Sequence, residues 1–195
     1  MKCLKHAALV LVLAAGGCVA PVGPVEVTRF HAADVAMLGK GTIAVEPAAG
    51  MDGASIEWRT YQAAVQQQLA LLGYAAPQGT SAQVAELRLS RMTIEPSRGS
   101  GPVTVGVGGS TGSWGSGVGV GIGINLTPRS AQQVQTTMAV TIRERASKAA
   151  LWEGRAVFTV RATSPMADTA LAAPKLAAAL FKDFPGQSGE TIVVQ

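Results

Sequence analysis

QVQTTMAVTIRER, residues 133–145, and ALWEGRAVFTVRA, residues 150–162, alternate apolar and polar residues on either side of a four-residue ASKA link. Strict alternation is the period of a half-buried strand, and two such runs joined by a short polar link form an antiparallel hairpin. Met138, Val140 and Ile142 share one face of the first arm, and Trp152, Ala156, Phe158 and Val160 share one face of the second. Arg143, Glu144, Arg145, Glu153, Arg155 and Arg161 are expected to pair across the strands on a solvated face, where each pair contributes little.

Upstream of this hairpin, further strands follow the same logic. Val25 and Val27 alternate with Glu26 and Thr28 in VEVTRFH, and GTIAVE runs from Gly41 to Glu46 before Pro47. Gln83–Ile94, QVAELRLSRMTI, reads as a long strand. Its apolar residues fall out of phase, which predicts a bulge near Ala85 or Ser90 and places Arg88 and Arg91 outward. Ser55–Leu72 reads as a helix, with Ile56, Tyr61, Val65, Leu69 and Leu72 on one face, Ser55 as N-cap and Gly73 at the C-terminus. A second helix spans Asp168–Phe181 with Leu171, Leu176, Ala179 and Leu180 as apolar positions; Pro174 either opens it or kinks it. A turn at FPGQSG and a short strand at Thr191–Val194 end the chain. The expected class is α+β, a mainly antiparallel sheet with two helices packed on one face and a glycine-rich β-hairpin insertion.

That insertion runs through residues 97–126. Gly115, Gly117, Gly119, Gly121 and Gly123 occupy every second position, with Ser116, Val118, Val120, Ile122 and Ile124 between them. In a strand this puts bare backbone on one face, open to close approach by a helix, a partner or lipid. Trp114 lies in the expected turn, and together with the five glycines it is the candidate partner contact. A phosphate-cradling loop does not fit, because neither a Walker Lys-Ser/Thr ending nor a following helical pattern is present.

The first residues predict where the domain resides. Lys2 and Lys5 precede an apolar run from Ala7 to Ala15, then Gly16, Gly17 and Cys18. The run is too short for a bilayer span of about 20 residues but suits a signal peptide, about 7–15 apolar residues. Small residues before a cysteine resemble the bacterial lipobox, with Ala15 where leucine is commonest. We therefore expect residues 1–17 to be a lipoprotein signal peptide, cleavage between Gly17 and Cys18, and lipidation of Cys18. Residues 18–24, with two prolines and a glycine, form a lipidated tether, and residues 25–195 form one domain. Without an aspartate after Cys18, the pattern resembles the sorting rule for the outer membrane, facing the periplasm.

This processing removes the features most easily mistaken for chemistry. The full 195 residues carry a formal net charge of +4, of which Lys2 and Lys5 supply half. Cys3 and His6 leave with the signal, so His31 becomes the last histidine and Cys18 is acylated. A His/Cys metal site is excluded, and a Ser-His-Asp triad would need that single imidazole, which is expected to serve as an ordinary hydrogen-bonding group. No basic stretch with interleaved aromatics points to nucleic acid. No cofactor is expected.

The early VEVTRF strand, the helix ending LLGY, the ELRLS strand, the TIRER and LWEGRA hairpin and the closing LFKDFPGQSG resemble the bacterial envelope lipoprotein family catalogued as domain of unknown function 4136. The resemblance implies a lipid-anchored α+β domain with no established catalytic residues to transfer, and structural roles for Phe184, Pro185 and Gly186. The expected function is non-catalytic: binding or scaffolding an envelope partner at the outer membrane. Two alternatives stand beside it. One is a small-ligand binder, needing an apolar cavity of several hundred Å³ between helix and sheet. The other is a cell-wall or lipid hydrolase built on carboxylates among Glu26, Glu46, Asp52 and Glu57.

Overall fold

The computed structural model describes residues 23–95, 103–112, 115–124 and 131–195. Its elements are β1 (Val25–His31), β2 (Ile43–Pro47), α1 (Ile56–Leu71), β3 (Gln83–Ile94), β4 (Val103–Gly112), β5 (Gly115–Ile124), β6 (Gln133–Glu144), β7 (Ala150–Arg161), α2 (Thr169–Leu180) and β8 (Glu190–Val194). Six strands form one sheet in the order β2-β3-β6-β7-β1-β8, while β4 and β5 form a separate two-stranded sheet. All neighbours in the large sheet are antiparallel except β2 and β3, which run parallel. The α1 connection explains that exception: parallel neighbours need a crossover, and a helix between them supplies one. The fold is the expected α+β.

The β6–β7 hairpin sits at the centre. Met138 opposes Ala156, Val140 opposes Gly154 and Ile142 opposes Trp152, and all but Gly154 are apolar side chains buried beneath the helices. The bulge of the sheet lies here, between Ile142 and Arg143. In β3, where a bulge was expected, the register with β6 runs unbroken from Gln83–Glu144 to Ile94–Gln133. The phase change in β3 has another cause. Ala85, Leu87 and Leu89 line the helix side, whereas Met92 and Ile94 belong to the opposite face and are exposed. Parity then puts Arg91 on the helix side with Leu87 and Leu89, so only Arg88 is outward.

Helix α1 begins where Ser55 Oγ accepts the Trp58 N–H at 3.2 Å, and its C-terminal Gly73 adopts φ +99°, a backbone conformation that favours glycine. Its buried residues are Trp58, Tyr61, Ala64, Val65 and Leu69. Ile56, expected on that face, is 78% exposed; Trp58, two residues on and so roughly 200° around the helix, is the first core contact. Helix α2 begins at Asp168, which accepts the Ala170 N–H at 2.7 Å. Pro174 lies inside the helix rather than at its start. Its core face is Ala172, Ala173, Leu176, Ala177, Ala179 and Leu180, leaving Leu171 half-exposed. The alanines let α2 approach the sheet closely, and Gly154 shows how closely: a Cβ there would overlap the Trp152 ring and lie 2.8 Å from Leu180 Cδ1.

Two buried polar assemblies tie loops to this core. Gln83, almost fully buried, donates to the carbonyls of Met37 and Lys40 at 2.9 and 3.2 Å and accepts from Tyr74 Oη at 3.2 Å. Arg29 is 1% exposed on β1. It donates to the Lys182 carbonyl just beyond α2, and its Nε lies 2.7 Å from Glu190 Oε1, a charge contact without hydrogen-bond alignment. Gly186 (φ +79°) passes so near that a Cβ would overlap both members of this pair. Trp152 stacks on Phe181 at 5.3 Å, meets Phe184 at 5.2 Å, and donates Nε1–H to the Pro185 carbonyl at 3.0 Å. The FPGQSGE segment is thus a lock that closes the C-terminus onto β1 and β7.

Candidate functional site

Cys18, Gly17 and Trp114 lie outside the described residues. The glycine-rich strands lie within them. β4 and β5 pair in register without a shift from Val103–Ile124 to Gly112–Gly115. Directly opposed residues share a face, so the ribbon sorts into two ladders. One joins Gly115, Gly117, Gly119, Gly121 and Gly123 to Gly112, Ser110, Gly108, Gly106 and Thr104. The other joins Val103, Val105 and Val107 to Ile124, Ile122 and Val120, with Gly109–Val118 and Thr111–Ser116 toward the far end. One strand was enough to predict the glycine stripe; the matching stripe on β4 emerges only from register. No Asp, Glu, Lys or Arg occurs between Arg98 and Arg129.

Of the four carboxylates expected as catalytic candidates, three are engaged separately and the fourth points away. Glu46 Oε1 pairs with Arg145 at 2.5 Å, Asp52 accepts the Ala54 N–H at 2.9 Å, Glu57 pairs with Arg91 at 3.4 Å, and Glu26 is exposed on the face of β1 away from the helices. The hairpin charges also pair differently from expectation. Arg143 reaches Glu86 on β3 at 3.1 Å and Arg145 reaches Glu46 on β2, both away from β7. Register explains this, because Glu153 opposes Thr141 and Phe30 while Arg155 opposes Ala139 and Thr28. His31 Nδ1 lies 2.7 Å from the Ala32 carbonyl, and Ser188 Oγ engages the His31 backbone rather than its ring. Among the described residues no group of three His, Cys, Asp or Glu could hold a metal ion.

One polar cluster was not visible in sequence. Arg91, on the helix side of β3, bridges Glu57 of α1, the Thr169 hydroxyl at 3.2 Å and the Ala167 carbonyl before α2. It borders a cavity of about 110 Å³ with Ser55, Glu57, Tyr61, Ser90 and Thr136. The buried Tyr61 hydroxyl has no hydrogen-bond partner within range. Burial pushes its ionisation above the ordinary value of 10.0, the Glu57 carboxylate adds to the rise, and the Arg91 charge opposes it. Volume and lining suit water or a very small polar guest. The parity of Arg91 with Leu87 and Leu89 was the available signal. A second groove, of about 280 Å³, runs between β2 and the end of α1, lined by Ile43, Val45, Gln66, Ala70, Tyr74 and Pro77.

Among the described residues no helix is long and apolar enough to cross a membrane, which leaves crossing by strands open. No curated protein matches the chain. Among solved structures, a PDZ domain protein from Parabacteroides distasonis ATCC 8503 is similar in fold, with TM-score 0.51 at 7% identity, over 88% of this chain and 39% of that one. The chain therefore spans about two fifths of that protein's length. A PelC dodecamer from Paraburkholderia phytofirmans aligns with TM-score 0.40 at 10% identity, over 80% of this chain and 94% of that one. The family model described as domain of unknown function (DUF4136) matches residues 41–186, from before β2 to the Gly186 turn, and the chain belongs to that family.

Proposed function

We propose that this protein is a non-catalytic lipoprotein, anchored through Cys18 to the periplasmic face of the outer membrane, whose α+β domain presents the β4–β5 ribbon to an envelope partner. The observation that carries this reading is the ribbon: ten-residue strands in their own sheet, uncharged, with one face almost wholly glycine. Bare backbone permits an approach that side chains would block. The separate engagement of Glu46, Asp52 and Glu57 favours binding over carboxylate catalysis, which needs two acids facing one bond. The groove beside β2 supports small-ligand binding as a second reading; at about 280 Å³ it falls near the lower limit of ligand pockets, about 300 Å³.

The anchor is tested by growing cells with labelled palmitate. The native chain should take up label and Cys18→Ser should not; equal labelling of both, or of neither, refutes the anchor. For the ribbon, a photo-crosslinker at position 114 in intact cells should capture an envelope component. Deleting residues 101–123 should leave a folded domain that no longer co-purifies with the captured component, and unfolding of that variant would instead make the ribbon part of the core.

A further inference from the structure

The ribbon has a length, a sidedness and a pair of edges that together specify more than a generic contact surface. β4 and β5 each contain ten residues. A tilted strand crosses the hydrocarbon layer of a bilayer in about 9–11 residues. The register assembles Val103, Val105, Val107, Val118, Val120, Ile122 and Ile124 on one face, and no residue larger than threonine on the other. Spanning strands alternate in this way, with the apolar face toward lipid. A single charge near the midplane would oppose insertion, and between Arg98 and Arg129 there is none. In sequence those two arginines bracket the paired strands, and Trp114, a residue type enriched at membrane interfaces, falls between the strands.

The edges set the stoichiometry. A lone two-stranded ribbon is marginal in water, and unpaired strand edges invite association. In hydrocarbon an open ribbon is worse, since every unpaired N–H and C=O along both edges lacks water; strands span membranes only as closed barrels. Among the described residues the six-stranded sheet supplies no closure, because β4 and β5 there pair only with each other. Further copies of the same ribbon can supply it.

We propose that β4–β5 is a membrane-spanning hairpin whose barrel is completed by the hairpins of other copies of this chain, Val and Ile toward lipid and the glycine stripe toward the lumen. The idea rests on the lipid-anchored reading, which brings the ribbon to a bilayer. It is tested on the full-length lipidated protein, reconstituted into phosphatidylethanolamine–phosphatidylglycerol vesicles. Single variants Gly117→Cys to Ile122→Cys carry a polarity-sensitive thiol dye, because signal removal takes Cys3 and acylation blocks Cys18. Positions 118, 120 and 122 should be quenched several-fold more by a lipid-borne quencher than by aqueous iodide, and positions 117, 119 and 121 the reverse. Amine-reactive crosslinking should yield homo-oligomers of this chain. Uniform access to iodide, absence of alternation, or alternation in a monomer overturns the proposal. Circular dichroism of each variant establishes that the α+β domain is folded, and palmitate incorporation reads the anchor separately, so lost alternation with labelling intact refutes the ribbon alone.

Discussion

Removing the Glu190 carboxylate should destabilise the fold more than removing both members of its pair. Arg29 is 2% exposed at its side chain and Glu190 25%. Glu190→Ala leaves a guanidinium buried beside Gly186 and the Lys182 carbonyl. Breaking a buried pair from one side costs about 3–5 kcal/mol. The lower end, about 3 kcal/mol, applies here because Glu190 is partly solvated and Arg29 keeps its bond to Lys182. In Arg29→Met with Glu190→Ala, a side chain of similar length refills the space without a charge. The remaining loss is chiefly the partner of the Lys182 carbonyl, about 1–2 kcal/mol in all. Urea unfolding followed by far-ultraviolet circular dichroism measures both. The reasoning fails if the double variant is less stable than Glu190→Ala, or if Glu190→Ala loses under about 1 kcal/mol.

Tyr61 and Tyr74 are the two tyrosines of the chain, and burial raises the ionisation of both above 10.0. The folded state therefore favours the neutral phenol. The resulting stability is fully present below pH 10 and is lost as pH rises through the folded-state values. Tyrosinate absorbance should appear at higher pH in the folded chain than in urea, and Tyr61→Phe with Tyr74→Phe should flatten the alkaline loss of stability; an unchanged slope counts against it. Trp152→Ala should cost about 3–5 kcal/mol, since it removes a fully buried ring stacked on Phe181; a loss below about 2 kcal/mol in the same urea assay would mean the lock is not formed around it. Gly154→Ala should be comparably severe without deleting an atom, because its Cβ meets the Trp152 ring and Leu180, and a native-like midpoint would contradict that packing.

Alternation and capping were legible residue by residue. Val25 and Val27, the Met138–Ile142 and Trp152–Val160 stripes, Ser55 at the start of α1 and Gly73 at its end all emerged from short-range pattern, because strand parity and helix termini are local properties. What lay beyond the sequence depended on which surface each element met. The phase change in β3 looked like a bulge and is a change of apolar face, Leu89 toward the helices and Met92 away. Ile56 and Leu171 are apolar and exposed, while Trp58 and Arg29 are buried, for burial is decided by packing between distant segments and not by residue type. Charge partners shifted for the same reason: Arg143 and Arg145 found Glu86 and Glu46 across strands separated by dozens of residues, and Arg91 found Glu57 and Thr169. The sequence by itself determined the α+β class and the glycine stripe of β5. Only the tertiary structure decided that β4 carries a matching stripe, that the ribbon stands as its own sheet, and that FPGQSGE closes over a buried arginine, because each needs residues far apart in the chain to be brought into register.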